Sequence, residues 1–441
     1  MSILLLTLGL ATGAFAEEAK TVQTGVIPLV SEEGKAEEVL ISKISFEGNA
    51  RTQPRTMLQE LGFKVGDQVS AKDLERGRQA IMDLGLFKSV KLHRKAVSGG
   101  EEIVIKVREK HYWFILPRGS RSGDGDISLG MTWKIDNLWG LNHESKLILQ
   151  HTDYKDTDRD NEWGASWKYK YPRVRGSLFN LRFKLGAELS DLDEERGELA
   201  GEYERELEEF DVGLSRWLNK TGRSRGWEAG ASLGLQSYSH KYLKGDEGLF
   251  FDADILSLGA NVRYYQVEDH LYNREGLDYG YNLELSEEGL GSDVSYTFNN
   301  LYFRGYFPIT KRKYTNLNMQ FRLGHASRTI FGDPYYGIGG STRLRGYSRT
   351  AIEGDDFVLG NIEFLRPIGG HSRLRGVVFT DFGGAWDQPD EFSAGDIEFA
   401  AGIGLRWKLV SFVKVDLRLD FAHGFGDEGK NRFYIGTDST F

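Results

Sequence analysis

The ten residues 377–386, VVFTDFGGAW, set one carboxylate, Asp381, inside a run that is otherwise apolar or small. In an extended chain the side chains alternate between two faces, so Phe379, Asp381 and Gly383 share one of them. A lone Asp amid apolar residues belongs on the wet side of a sheet. In a sheet that is apolar outside and wet inside, that side is the lumen of a barrel. The reading stands or falls on whether the chain holds enough strands to close such a barrel.

From Tyr112 onward there is no helical period, only alternation broken by polar turns. Sixteen segments can be marked: 112–122, 125–138, 143–152, 162–172, 177–187, 208–218, 226–239, 254–267, 276–287, 293–308, 315–327, 355–367, 374–387, 396–408, 413–423 and 431–441. That is about 20 residues per strand and connection, the spacing of a membrane barrel with alternately short turns and long loops. An even count lets an antiparallel sheet close and leave no edge in lipid. The composition agrees: hydrophobic residues reach only 40%, yet aromatics make up 12% and there are 54 glycines, as expected when every second strand residue faces lipid. No apolar run approaches the ~20 residues of a membrane helix. A soluble β-sandwich is the alternative, and sixteen long strands with aromatic ends disfavour it. The expected fold is therefore mainly β, a 16-stranded antiparallel transmembrane β-barrel over residues 111–441.

The connections alternate in charge. One set is short and basic (YPRVRG, NKTGRSRG, PITKRKYTN), and the other is longer and acidic (DYKDTDRDNE, SEEGLGSD, DQPDEFSAGD). Residues 187–210, read as the third acidic loop, hold eleven Asp/Glu and two Arg, a net −9 that equals the charge of the whole chain. Two readings stay open for the acidic set: carboxylates meeting the divalent-cation layer of lipopolysaccharide, or plain solvated loops.

Ahead of the barrel the pattern differs. ILLLTLGLATGAFA ends in Ala14-Phe15-Ala16, a small-x-small site before EEAK, which predicts a secretory signal peptide over 1–16. No Lys or Arg precedes its apolar core, which would put the true start a few residues upstream. Residues 17–38 are polar and aperiodic, a flexible leader. Zero cysteines suit an oxidising compartment, although cytosolic proteins also lack them. Residues 39–110 read as a small α+β domain of order β-α-α-β-β. Its helices are PRTMLQELG, stopped by Gly62, and SAKDLERGRQAIMDLG, with Ser70 as N-cap and Asp73 three residues on. Its expected apolar set is Ile44, Phe46, Leu58, Leu61, Leu74, Ile81, Leu84, Phe87, Val90, Ile103, Ile105 and Val107.

GGSTRLRGYSRT, residues 339–350, puts Arg343, Arg345 and Arg349 in the long connection 328–354. Its Leu344-Arg345-Gly346-Tyr347 resembles the hallmark loop of the BamA/TamA outer-membrane assembly superfamily, and Phe379-x-Asp381-x-Gly383 resembles the same family's F-x-D-x-G strand. FVLGNIEFLRP, with Glu363, and the terminal Phe441 extend the resemblance. Ile44, Phe46, Gly48, Asn49, Asp83, Gly85, Phe87, Val90, Val107 and Glu109 resemble a POTRA domain, the periplasmic module of that family. The resemblance implies a loop folded back into the lumen. An arginine drawn there must meet a carboxylate, because an unpaired buried charge is costly. Asp381 is the expected partner and Glu363 a second acceptor. Gly383 leaves room for the loop tip, Tyr347 packs on the wall, and Phe441 serves as the C-terminal sorting residue. Two departures stand out: one POTRA-like domain rather than several, and Thr437 and Ser439 between the apolar residues of the last strand. The second suggests a weakly held seam between the first and last strands.

What the resemblance implies about function is an assembly, insertion or translocation factor in the outer membrane, with its small domain in the periplasm. Its partners would be unfolded outer-membrane or secreted client proteins, the lipid bilayer, lipopolysaccharide, and a periplasmic chaperone or accessory lipoprotein, with no nucleic acid. It would be no enzyme, with no catalytic residue, metal or cofactor. A dedicated secretion pore for one partner protein is the second reading, and an outer-membrane lipase or protease the third. The third lacks a nucleophile constellation: there is no G-x-S-x-G and no H-E-x-x-H, and the nine His are scattered. GFGDEGKN (424–431) has Walker-A spacing, but Asn431 stands where the Ser/Thr should be and a strand follows. DTDRDN (156–161) lacks the Gly and Glu of a calcium loop.

Overall fold

The computed structural model describes residues 38–121, 127–154, 161–196, 199–309, 314–327, 336–348, 351–369, 371–387, 393–413 and 416–436. The signal-peptide reading, the leader up to residue 37, the Asp run at 156–160, Arg349, Thr437, Ser439 and Phe441 lie outside the described residues.

The N-terminal unit is a four-stranded sheet with two helices on one face. β1 (Val39–Glu47) runs parallel to β4 (Gly100–Glu109), and β4 pairs antiparallel with β3 (Phe87–Val97). A two-residue strand not anticipated from sequence, β2 (Gln68–Val69), adds the other edge and gives the order β2-β1-β4-β3. α1 (Pro54–Leu61) begins on a proline, whose missing N–H has no partner to lose at a helix start, and stops at Gly62 in the left-handed conformation, φ 73°. Its buried face carries Met57 and Leu61, both 0% exposed, whereas Leu58, expected in the core, is 43% exposed. Leu61 and Met57 lie four apart and so on one stripe, which turns Leu58 to solvent. α2 (Ala71–Asp83) opens with a capping box, Ser70 Oγ accepting from the Asp73 amide and Asp73 accepting from the Ser70 amide, both at 3.3 Å. The Ser70 hydroxyl also donates to Asp73 and holds that carboxyl below its usual range. Ser70→Ala should cost the domain about 1 kcal/mol. Asp73's share is present above the unfolded value near 3.8 and fades as pH falls through the lowered folded value, so the effect of the substitution should shrink in acid. Thermal melts of the two proteins at neutral and acid pH check both parts.

Sixteen longer strands follow. The first eight are β5 (Trp113–Arg121), β6 (Ile127–Leu138), β7 (His143–Asp153), β8 (Asn161–Tyr171), β9 (Phe179–Arg196), β10 (Leu199–Trp217), β11 (Gly226–Gly245) and β12 (Ala253–Asp269). Then come β13 (Arg274–Ser286), β14 (Tyr296–Pro308) and β15 (Asn316–Ala326), and a short pair, β16 (Tyr336–Gly337) with β17 (Glu353–Gly354), inside the next connection. β18 (Asp356–Ile368), β19 (His371–Trp386), β20 (Glu398–Lys408), β21 (Asp416–Gly424) and β22 (Asn431–Gly436) complete the wall. Each wall strand pairs antiparallel with the next, and β22 returns to β5 to close the barrel. The polarity is inverted relative to a water-soluble protein. Trp133, Trp163, Val378, Ile403 and Phe421 are exposed, while Thr132, Lys134, Glu162, Arg406 and Asp420 are buried. That is the alternation a lipid-facing outer surface and a polar lumen require.

Four strands overshoot. β9, β10, β11 and β12 run 18, 19, 20 and 17 residues, where about 9–11 cross a bilayer. The segment 187–210, expected as an acidic loop, is therefore mostly strand. Its carboxylates are paired across the sheet: Glu202 with Lys244 at 2.8 Å, Glu204 with Lys241 at 3.2 Å and Glu209 with Lys184 at 2.5 Å. On the face opposite Glu202 and Glu204, Leu192 and Tyr203 bury an apolar cluster with Leu249, Phe250 and Ala253. Neighbouring strands supply lysines and a floor, so a run that would repel itself in isolation is held extended.

The opposite end of the barrel meets the small domain. The basic turns supply the cations: Arg223 Nη2 donates to Leu61 O (2.8 Å) and Arg173 Nη2 to Gln59 O (3.0 Å), at the carbonyl end of α1. Glu60 accepts from Ser224 N and Oγ, both at 2.8 Å, and Asp83 is paired with Arg225. The turn after β6 adds Gln53 N to Gly140 O at 3.0 Å and Thr56 Oγ1 to Gly140 O at 2.7 Å. Val413, from the β20–β21 turn, enters the small domain's apolar core. The link between the two units is tied down as well. His111 N donates to Ser411 O at 2.7 Å, Val413 N to His111 O at 3.2 Å, and Phe114 meets Phe412 edge-on at 6.1 Å. Asp83 and Arg225 should show a coupling energy of about 0.5–3 kcal/mol in a double-alanine cycle. Proteolysis of the small domain in the full-length protein reads it, and additivity would mean that the two units do not meet there.

Candidate functional site

The connection between β15 and β18 folds inward as a tight hairpin. β16 and β17 pair at its base, Ile338 N donates to Ile352 O (3.0 Å) and Leu344 N to Ile338 O (2.9 Å). Gly346 has φ 95°, and a Cβ there would lie 2.5 Å from Gly424 N, so glycine is required both by the backbone and by the wall. Gly383 has the complementary part: a Cβ on it would lie 3.2 Å from Ile338 Cδ1 in the loop. Leu344, 0% exposed, sits among Ile338, Tyr347, Phe357 and Leu359.

Arg345 is 0% exposed and fully engaged. Nε and Nη2 hold Asp381 in a two-pronged pair at 2.7 Å each, and its backbone N–H donates to the same carboxylate at 3.2 Å. Nη1 reaches Glu363 at 2.7 Å and Asp420 at 3.3 Å. The guanidinium lies 3.4 Å from the centroid of the Phe379 ring. That ring occupies the space a side chain at Gly402 would need, since a Cβ there would lie 2.2 Å from Phe379 Cζ.

The constellation is larger than a pair. Arg406 donates to Glu363 at 2.8 Å and to Asp420 at 2.5 Å, and Arg418 Nε is 3.4 Å from Asp420. Three guanidinium groups thus face three carboxylates, all at 5% exposure or less. Balance matters here, because breaking a buried pair leaves an uncompensated charge. Asn361 accepts from Gln320 (3.1 Å) and donates both to Asp381 (2.9 Å) and to Arg343 O (2.7 Å). Tyr347 does more than pack: its hydroxyl donates to Glu398 at 2.9 Å and accepts from Gly426 N at 2.9 Å. Gly346 N donates to Tyr434 OH at 3.0 Å, which ties the loop to the last strand.

The structure brings together Leu344, Arg345, Gly346, Tyr347, Glu363, Phe379, Asp381 and Gly383, while Phe441 lies outside the described residues. Asn361, Arg406, Arg418, Asp420 and Tyr434 are additions that the sequence reading did not name. Arg406, Arg418 and Asp420 carry the signal that exposed Asp381, a charge alternating with Leu405, Trp407, Leu417, Leu419 and Phe421. The arrangement presents no nucleophile beside a base. What it can do is fix the loop to β18, β19, β20, β21 and β22 as one block.

Residues 130–441 match the model of the Omp85 superfamily domain, and residues 39–110 match that of POTRA, described as a surface antigen variable number repeat. Among solved structures, BamA from Haemophilus ducreyi lacking POTRA domains 1–3 is 17% identical, with 90% of this chain and 84% of that chain covered and a TM-score of 0.51. CdiB from Acinetobacter baumannii is 15% identical, with coverage of 89% and 72% and a TM-score of 0.60. CdiB from Escherichia coli is 13% identical, with coverage of 90% and 76% and a TM-score of 0.62. At these identities the likeness is one of fold.

Proposed function

The chain belongs to the Omp85 superfamily, its barrel is an outer-membrane one, and on that premise we propose that it assembles or translocates unfolded polypeptides at that membrane. The small domain stands on the periplasmic side and receives a client along an exposed strand edge, where main-chain hydrogen bonds recruit any extended segment. The client then enters or crosses the bilayer at the β5–β22 seam. No covalent chemistry is involved, and the inward loop keeps the last five wall strands in register while the seam works.

The observation that carries this reading is the anchored loop: Arg345, 0% exposed, bonds Asp381, Glu363 and Asp420, and Gly346 N donates to Tyr434 of β22, the strand that closes the barrel on β5. A loop held in this way braces the wall on one side of the β5–β22 junction. Depleting the protein and comparing outer-membrane and secreted proteomes tests the reading. Broad loss of outer-membrane barrels is expected. Loss of one secreted protein with the barrels intact would identify a dedicated export pore instead, and no change in either fraction would refute both.

A further inference from the structure

The small domain is cationic within an acidic chain: residues 39–110 hold 14 Lys/Arg against nine Asp/Glu, while the whole chain carries a net −9. Much of that excess stands on one surface. The helices cover one face of the four-stranded sheet and turn it toward the barrel, so the other face points away from the barrel mouth, and no element among the described residues covers it. On this uncovered face alternation places Lys43 and Glu47 of β1, Glu102, Lys106 and Arg108 of β4, and Lys91, His93 and Lys95 of β3. Two of the cations are neutralised, Lys43 by Glu102 at 2.9 Å and Lys106 by Glu47 at 3.2 Å. Lys91 and Arg108 are exposed, and no carboxylate of the described residues pairs with either. Lys91 also stands directly across the ladder from Lys106. Lys106 has its carboxylate partner, Glu47, on the β1 side, which leaves Lys91 and Arg108 as cations of this face with no carboxylate partner among the described residues.

We propose that the uncovered sheet face, centred on Lys91, Lys106 and Arg108, is a docking surface for an acidic segment of a second, water-soluble polypeptide. A strand-like segment with carboxylates at every second position would match the period of the face. The orientation disfavours a lipid headgroup, because the face looks away from the barrel and hence from the bilayer.

The test uses the full-length protein in neutral detergent and a labelled peptide of about twelve residues alternating Glu and Ser, whose carboxylates share one side when extended. Fluorescence anisotropy should show saturable binding that weakens with added salt, and none for the Gln-Ser counterpart. The Lys91→Glu/Arg108→Glu variant should lose roughly tenfold or more in affinity, with Lys91→Gln/Arg108→Gln in between. Both variants sit at exposed positions, and an unchanged circular-dichroism spectrum would show that the sheet persists. Equal binding by the charge-reversed protein would overturn the proposal, as would no binding by the parent. Binding that emerges only when Glu32, Glu33, Glu37 and Glu38 are changed to Gln would give the face to the chain's own leader. Uptake of dihexanoyl phosphatidylglycerol in place of the peptide would give it to lipid. Either result refutes a second polypeptide as occupant. The titration involves no client, so its failure is distinguishable from failure of the translocation reading.

Discussion

Asp381→Ala will release the loop. Arg345 then keeps Glu363 and Asp420, which it shares with Arg406, but loses both short bonds to Asp381 and the anchor of its own backbone N–H. Removing one member of a buried ion pair typically costs about 3–5 kcal/mol, mostly through the stranded charge. Arg345→Ala strands charge of the other sign, leaving Asp381, Glu363 and Asp420 to face Arg406 and Arg418. The double alanine restores two against two, so it should be milder than the sum of the single changes. Protease cutting within 328–354 and client insertion, measured across the cycle, check this. Strict additivity would mean that the loop is positioned by something else.

The second large effect concerns the seam. With no native cysteine to interfere, Ser120→Cys/Tyr434→Cys places a bridge at the one described residue pair between β5 and β22. Oxidation should abolish client insertion, and reductant should restore it to the level of the reduced double variant. That variant is the right reference because Tyr434 also bonds Gly346. A locked seam that inserts clients at the reduced rate would exclude lateral opening as the route. Thr437 and Ser439 in the last strand suggest a weakly held seam, and locking it tests that expectation.

The wall was legible because lipid on one side and water on the other impose a period of two that survives loop variation. Sixteen strands can be counted that way, and sixteen close the barrel among the described residues. Arg345 and Glu363 are named on the resemblance of their segments to the assembly superfamily, whereas Asp381 could be named because it interrupts an apolar run. Arg406, Arg418 and Asp420 interrupt theirs just as plainly. They were missed because Arg and Asp two residues apart on one strand look like ordinary lumen polarity until the fold sets β18 to β21 side by side. Strand ends were the weaker part. Residues 187–210 were read as loop because eleven carboxylates repel, and the lysines that pair with some of them, Lys241 and Lys244, come from β11. In the sequence the basic turns stand out only by their charge and shortness, and nothing local in them foretells Glu60 or Asp83 as partners. Leu58 was placed in the core by a helical phase one residue off.

The tie between His111 and the β20–β21 turn has a geometric consequence. It spans the foot of the junction, joining the lead-in of β5 to the strand pair beyond β22, with Phe412 packed beside it. Two staves pinned at one end can part only as a wedge, with its vertex at the pin and its width growing with distance. The bilayer leaflet beside the small domain would then meet the narrow part and the outer leaflet the broad part. A folded-back tip needs the most room and an extended segment the least, so under the proposed route such an aperture would rank clients by shape along its height.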